Sequence, residues 1–292
     1  MYLQLYSTLK FWIILLFTIL HLYQVQCQNV RLKNTQQFPL KSKSVEDETY
    51  SIYIYLPENY DENTKYPVIY LLDADKTFSI MKGTLDFLIL GKEIKDVMVI
   101  GIGYKKDEDW WNKRSRDFLP TKDLKTKEGK SWPMAGGAED FLKFLTDELI
   151  PEIEAWYPID STNRGIIGFS YGGFFASYVL AKHPDLFNNY IIISPGLAWD
   201  SNYILKVEEK YNINRTDLKK NVFISYSSEE SLESIIEPTK LFIERLESRN
   251  YPGLNLITEV NEGETHFAGF STSLNKAIKI LYNKRGLQIN NL

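Results

Sequence analysis

Cysteine is nearly absent from this chain: 292 residues contain one, Cys27, at the end of an N-terminal apolar segment. Cleavage after Cys27 leaves none, and for the processed chain that excludes intrachain disulfides, thiolate metal sites and a cysteine nucleophile. A chain of this length buries enough core to be stable without such staples. Histidine is also scarce, with three residues, His21, His183 and His266. A basic excess is missing. Lys and Arg number 34 against 38 Asp and Glu, the net charge is −4, and no basic run is interleaved with aromatics, so nucleic acid is not expected as a partner. There is no internal repeat, low-complexity tract or interdomain linker. Asp73-x-Asp75-x-Thr77 begins like an EF-hand, but Phe78 stands where that loop needs glycine and Thr84 where it needs glutamate. No other cluster has metal-ligand spacing, so neither metal nor cofactor is expected.

What is present is ordinary for one large globular domain, 44% hydrophobic and 25% charged. The first 27 residues differ in kind. Lys10 precedes the apolar run Phe11–Leu20, and the more polar Tyr23–Cys27 follows. This pattern reads as a secretory signal peptide over residues 1–27, cleaved before Gln28. It predicts a secreted or periplasmic protein with no stable membrane span after processing. An N-terminal membrane anchor is the alternative, although the run is short for a full span. Residues 24–26 lack the small side chains expected before a lipoprotein cysteine. Residues 28–45 read as a polar lead-in, 46–285 as the domain and 286–292 as a tail.

Within the domain, Thr49–Leu56 alternates as a half-buried strand does. Pro67–Leu72 and Val97–Ile102 are continuous apolar runs, as in strands covered on both faces. A helix is expected around Ser79–Leu90 between them. Residues 104–136 show no clear period and carry Trp110, Trp111 and Trp132. They read as a long loop, either walling a site or packed back on the body. Glu139–Trp156 is amphipathic, interrupted or restarted at Pro151. Further strands are expected at 164–168, 189–194, 221–226 and 254–260, with helices at 171–182, 232–250 and 268–284. Strands alternating with helices predict an α/β fold, a mostly parallel sheet with helices on both faces.

The most informative stretch is Gly168-Phe169-Ser170-Tyr171-Gly172-Gly173, set between an apolar strand and a helix. That is the context of a G-x-S-x-G nucleophile elbow. The turn is expected to leave no room for a Cβ two residues either side of Ser170, whose strained backbone would lift Oγ above the sheet edge. A serine hydroxyl needs a base, usually histidine. His21 lies in the expected signal peptide. His183 falls 13 residues after Ser170, about 20 Å along a helix axis, and suits a cap before Pro184. His266 remains, after the last strand and before the last helix, where the chain order Ser, acid, His puts the base. The acid is expected after strand 221–226, where Glu229 and Glu230 are both candidates, with Glu233 and Asp200 behind them. These acids also suit the start of the following helix. An oxyanion hole needs two backbone N–H groups. One is expected from Tyr171 and the other from the loop Asp73-Ala74-Asp75.

The chain resembles the esterase D/enterochelin-esterase-like group of α/β-hydrolases. The likeness covers roughly residues 46–285. It is carried by Tyr70–Asp75, Arg114-Ser115-Arg116-Asp117-Phe118-Leu119-Pro120, Gly136–Phe141, Glu148–Pro151, Gly168–Gly173, His183–Phe187 and Ile193–Asp200. The resemblance implies an α/β-hydrolase fold, Ser170 as nucleophile, His266 as base and Glu230 as acid, with Glu229 left open because Ser227 replaces the usual glycine. It assigns the oxyanion donors to the N–H groups of Tyr171 and Asp75, with Ala74 where the family has glycine. Arg114, Arg116 and Trp199 fall in family motifs and become candidates for holding substrate, although Arg116 with Asp117 also suits a structural ion pair. The expectation is an exported, cofactor-free serine esterase forming an acyl-enzyme, acting on a siderophore ester or a carbohydrate-linked acyl ester. An acyltransferase on the same scaffold and a non-catalytic binding protein with this fold are the alternatives. Oligomeric state has no sequence signal.

Overall fold

A computed structural model describes Lys10, Trp12 and residues 31–105, 109–122 and 132–286. The chain divides into two units, Met1–Lys33 and Asn34–Leu292, and the fold below is that of the second. The expected signal peptide, apart from Lys10 and Trp12, and the tail beyond Gly286 lie outside the described residues. Among the described residues no helix is long and apolar enough to cross a membrane.

Eight strands build a sheet: β1 (Thr35–Lys41), β2 (Thr49–Tyr55), β3 (Tyr66–Leu71), β4 (Met98–Gly103), β5 (Ile159–Phe169), β6 (Asn189–Ile193), β7 (Asn221–Ser227) and β8 (Asn255–Asn261). Their order is β1-β2-β4-β3-β5-β6-β7-β8. β1/β2 and β2/β4 are antiparallel and the other pairs are parallel. This is the α/β-hydrolase fold. The apolar runs of the central strands follow from burial on both faces. In β3, Val68 and Tyr70 join one core while Ile69 and Leu71 join the other, and in β6 Tyr190 and Ile192 oppose Ile191 and Ile193 in the same way.

Helices cover both faces. α1 (Ala74–Leu90) and α8 (Gly269–Leu281) pack on one side through Phe78, Met81, Leu85, Leu274 and Ile278. On the other side lie α3 (Ala138–Lys143), α4 (Ile150–Trp156), α5 (Tyr171–Lys182), α6 (Trp199–Asn212) and α7 (Glu237–Ser248), packed through residues such as Phe141, Ile153, Phe175, Ile204 and Phe242. α2 (Trp110–Phe118) lies over the same core through Phe118.

Several elements differ from expectation. The lead-in contains β1, an edge strand paired along its length with β2. Its polar composition reflects exposure: only Phe38 and Leu40 pack on the core. α2 lies inside the stretch read as a loop. Its buried face is Arg114, Ser115, Asp117 and Phe118, so hydrophobic periodicity could not reveal it. Its start is capped by the Asp109 side chain, which accepts from Asn112 N–H at 3.3 Å. α6 was not expected at all. Its inward face includes Glu208 and Asn212, and Glu208 is paired with Arg245 and Arg249. The helix expected over 139–156 is α3 and α4 joined by a π-helical turn, Phe144–Leu149, with Pro151 just past that turn, so the break in the regular α-helical ladder falls at the proline.

Candidate active site

β5 delivers Ser170 to the carboxyl edge of the sheet. The backbone there has φ 58° and ψ −117°, a sparsely populated conformation that the surroundings must impose. They do so through three hydrogen bonds. Ser170 N–H donates to Ile193 C=O at 3.1 Å, and its own C=O accepts from Phe174 N–H at 2.9 Å and Gly196 N–H at 3.0 Å. The two elbow glycines are not equivalent. A Cβ on Gly168 would sit 2.0 Å from Gly172 O, whereas one on Gly172 would have 3.4 Å to its nearest neighbour, Asp73 Oδ2. The turn therefore excludes a side chain before the serine but nearly accommodates one after it, a correction to the symmetric expectation.

His266 lies in the connection from β8 to α8, and its ring packs on Phe169, the residue before Ser170, with centroids 4.5 Å apart. Nδ1 is 2.5 Å from Glu230 Oε1. The other carboxylate oxygen, Oε2, accepts the Ser227 N–H at 2.6 Å. The Glu230 side chain is wholly buried while that of His266 is 27% exposed. With Glu230 ionised, Nδ1–H donates to it and Nε2 is left as the proton acceptor. Glu229 is exposed, and its backbone N–H donates to Glu264 C=O at 3.1 Å. Glu233 lies in the π-helical turn before α7 and Asp200 at the start of α6. The structure thus brings Glu230, not these three, to His266. Ser227 replaces the family's glycine without strain because it keeps the extended backbone of β7. His183 caps α5, its N–H donating to Val179 C=O at 2.8 Å. His21 lies outside the described residues.

The two expected oxyanion donors both stand in first turns of helices, Tyr171 as the first residue of α5 and Asp75 as the second of α1. N–H groups there have no acceptor within their own helix. The extra methyl of Ala74 is accommodated over Gly101, whose Cβ would lie 2.6 Å from it.

The three substrate-binding candidates are engaged within the protein. Arg114 is 1% exposed. Its Nε and Nη2 donate to Asp73 Oδ1 and Oδ2 at 3.0 and 2.8 Å, and Nη2 also reaches Phe169 C=O at 3.3 Å. Arg116 donates to Asp117 Oδ1 at 2.6 Å and to Glu48 Oε2 at 2.8 Å, the structural ion pair offered as its alternative. Asp117 also accepts from the hydroxyls of Tyr50 and Tyr104 at 2.8 and 2.9 Å. Trp199 is 5% exposed, packs edge-on to Tyr171 and donates its indole N–H to Thr121 Oγ1 at 3.1 Å. Arg114 and Trp199 are thus buried and Arg116 half-buried, with these donors engaged within the protein. Sequence reasoning missed Asp73 as the partner of Arg114 and Phe169 as the platform for His266; both lie inside motifs, but a local motif does not show which distant side chain packs on it.

A strained serine at a sheet edge, a carboxylate-bound imidazole packed on the residue before it and two first-turn N–H groups are the parts that acyl-transfer chemistry uses. Residues 42–267 match the model of the family described as Putative esterase. The chain belongs to that family. It is 39% identical to the ferri-bacillibactin esterase BesA of Bacillus subtilis over 181 residues, 59% of this chain and 62% of that protein. It is 27% identical to the siderophore triacetylfusarinine C esterase of Aspergillus fumigatus over 182 residues, 60% of each chain. The match therefore spans less than two thirds of either relative. The crystal structure of an IroE-like serine hydrolase from Shewanella oneidensis superposes with a TM-score of 0.74 at 28% identity, covering 85% of this chain and 80% of that one.

Proposed function

We propose that this chain is a serine esterase that hydrolyses siderophore esters through an acyl-enzyme, with Ser170 as nucleophile, His266 as general base and Glu230 as the acid that orients it. The observation that carries the reading is the Glu230–His266 pair on one side of Phe169, with the left-handed Ser170 directly after Phe169 in the chain. His266 Nε2 takes the Ser170 hydroxyl proton as Oγ bonds to the ester carbonyl carbon. Glu230 stabilises the imidazolium that results. The N–H groups of Tyr171 and Asp75 receive the negative charge that develops on the carbonyl oxygen. Collapse breaks the bond to the leaving alkoxide, which accepts the proton from His266. Water then attacks the acyl-enzyme by the same route, releasing the acid and restoring Ser170. No cofactor takes part in this sequence.

The names of the curated relatives support siderophore esters as the substrate class, and the apolar run at residues 11–20 supports export with cleavage before Gln28. The test is product analysis on a ferric triester siderophore beside an acetylated and a feruloylated oligosaccharide, with Ser170→Ala as control. The expected result is Ser170-dependent opening of the siderophore esters at the highest kcat/KM. A higher kcat/KM on the oligosaccharide esters would contradict the substrate assignment while leaving the chemistry standing.

A further inference from the structure

Asp73 occupies the N-cap of α1, where an aspartate ordinarily turns its carboxylate onto the N–H groups of the first helical turn. Here it makes no such bond. Both oxygens are engaged by Arg114 instead, at 3.0 and 2.8 Å, in the bidentate geometry a guanidinium fork provides. The same guanidinium donates to Phe169 C=O at 3.3 Å. Asp73 lies two residues before Asp75, and Phe169 is the residue before Ser170. One side chain from α2 thus touches both the loop that carries one oxyanion donor and the strand end that carries the nucleophile and the other.

The position is rigid. Arg114 and Asp73 are 1% and 2% exposed. The guanidinium carbon lies 4.6 Å from the Trp110 ring centroid, 5.4 Å from that of Phe118 and 5.5 Å from that of Tyr171. Asp73 is held in a left-handed conformation, φ 54°, a strained backbone for a residue other than glycine. Its carbonyl is fixed separately by the Thr77 hydroxyl at 3.0 Å. Turning the carboxylate to Arg114 also leaves the Asp75 N–H uncapped by its own helix's N-cap side chain.

We propose that Arg114 is a positioning residue: with Asp73 it forms a brace between the β3–α1 loop and the elbow, fixing the separation of the Asp75 and Tyr171 N–H groups. It does not touch substrate. The inference rests on the serine-esterase reading above and adds that donor spacing depends on a fork from outside the elbow. Lysine would supply the charge but not two parallel hydrogen bonds together with a third.

The test compares native protein with Arg114→Lys, and with the double variant Arg114→Met/Asp73→Asn, which leaves no unpaired buried charge and a side chain that tolerates the left-handed backbone. Each is assayed on a nitrophenyl ester well below its own melting temperature, with inhibition by a trifluoromethyl ketone, which forms an oxyanion on Ser170, as the second reading. The expected result in both is a kcat reduced about 10- to 100-fold with KM within about 3-fold, and ketone affinity weakened in proportion to kcat/KM. Folded variants with lowered melting temperature but native kcat and native ketone affinity would overturn the brace and leave the pair purely structural. Absence of Ser170-dependent turnover in the native protein would overturn the esterase reading itself, and the brace with it.

Discussion

Glu230 is held at both ends of its carboxylate, by His266 Nδ1 at 2.5 Å and by the Ser227 N–H at 2.6 Å. The first contact orients the imidazole and the second fixes the glutamate, so the imidazole is positioned from the end of β7 rather than by its own loop alone. Replacing one oxygen by an amide nitrogen should keep the shape and spoil the pairing. Glu230→Gln is expected to lower kcat by about 10²- to 10⁴-fold on a nitrophenyl ester, while Glu229→Gln stays within about 3-fold, as for an exposed side chain away from special contacts. The reverse ranking would reassign the acid.

Ser227 and Gly269 form a second dependent pair. A Cβ on Gly269 would fall 2.0 Å from Ser227 Oγ, and that hydroxyl is buried with no hydrogen-bond partner among the described residues. Gly269→Ala is expected to destabilise by about 1–3 kcal/mol through overpacking. Ser227→Gly in the same chain should recover a large part of that loss. A double-mutant cycle in urea checks it, and strictly additive effects would mean the backbone, not the hydroxyl, excludes the methyl.

At the elbow, Gly168→Ala and Gly172→Ala should separate. The first drives a methyl to 2.0 Å from Gly172 O, and the second meets Asp73 Oδ2 at 3.4 Å. Gly168→Ala is expected to lose both folding stability and turnover, with Gly172→Ala retaining a cooperative melt within a few degrees of native, about 1 kcal/mol or less. Equal melting temperatures for the two would contradict the asymmetry.

Acid sensitivity should trace in part to Glu48. Burial alone pushes its carboxyl up, but the hydrogen bonds and charges of Arg116 and Lys113 outweigh that and hold it below the ordinary 4.5. The folded state therefore releases this proton at lower pH than the unfolded chain does. Stability from the group is complete above the unfolded value and is lost as pH falls through the folded one. Melting temperature recorded from about pH 6 down to about pH 3 should fall less steeply in Glu48→Gln than in native protein. Parallel curves would place the acid sensitivity elsewhere.

Much of this was legible in the chain. The alternation of apolar runs and helical segments announces the parallel sheet because central strands buried on both faces have to be continuously apolar. Ser170 and His266 follow from a steric motif and from the scarcity of histidine. The acid was less legible: Glu229 and Glu230 are chemically identical, and only the turn after β7 decides which carboxylate is buried against the imidazole. Arg114 and Arg116 looked like substrate ligands because charge in a motif near a site reads as recognition, whereas Arg114 is buried against Asp73 and the half-buried Arg116 pairs with Glu48 and with its neighbour Asp117. The same buried charges hid α2 itself. β1 was lost for the opposite reason, its exposed edge position making a strand look like a linker.

The most direct test of the account is covalent labelling of the folded protein with a fluorophosphonate, followed by peptide mass mapping. The account predicts a single adduct on the peptide containing Ser170, absent in Ser170→Ala and formed far more slowly in His266→Ala. No adduct, or an adduct on another serine that persists in Ser170→Ala, would contradict the assignment of Ser170 as the activated nucleophile.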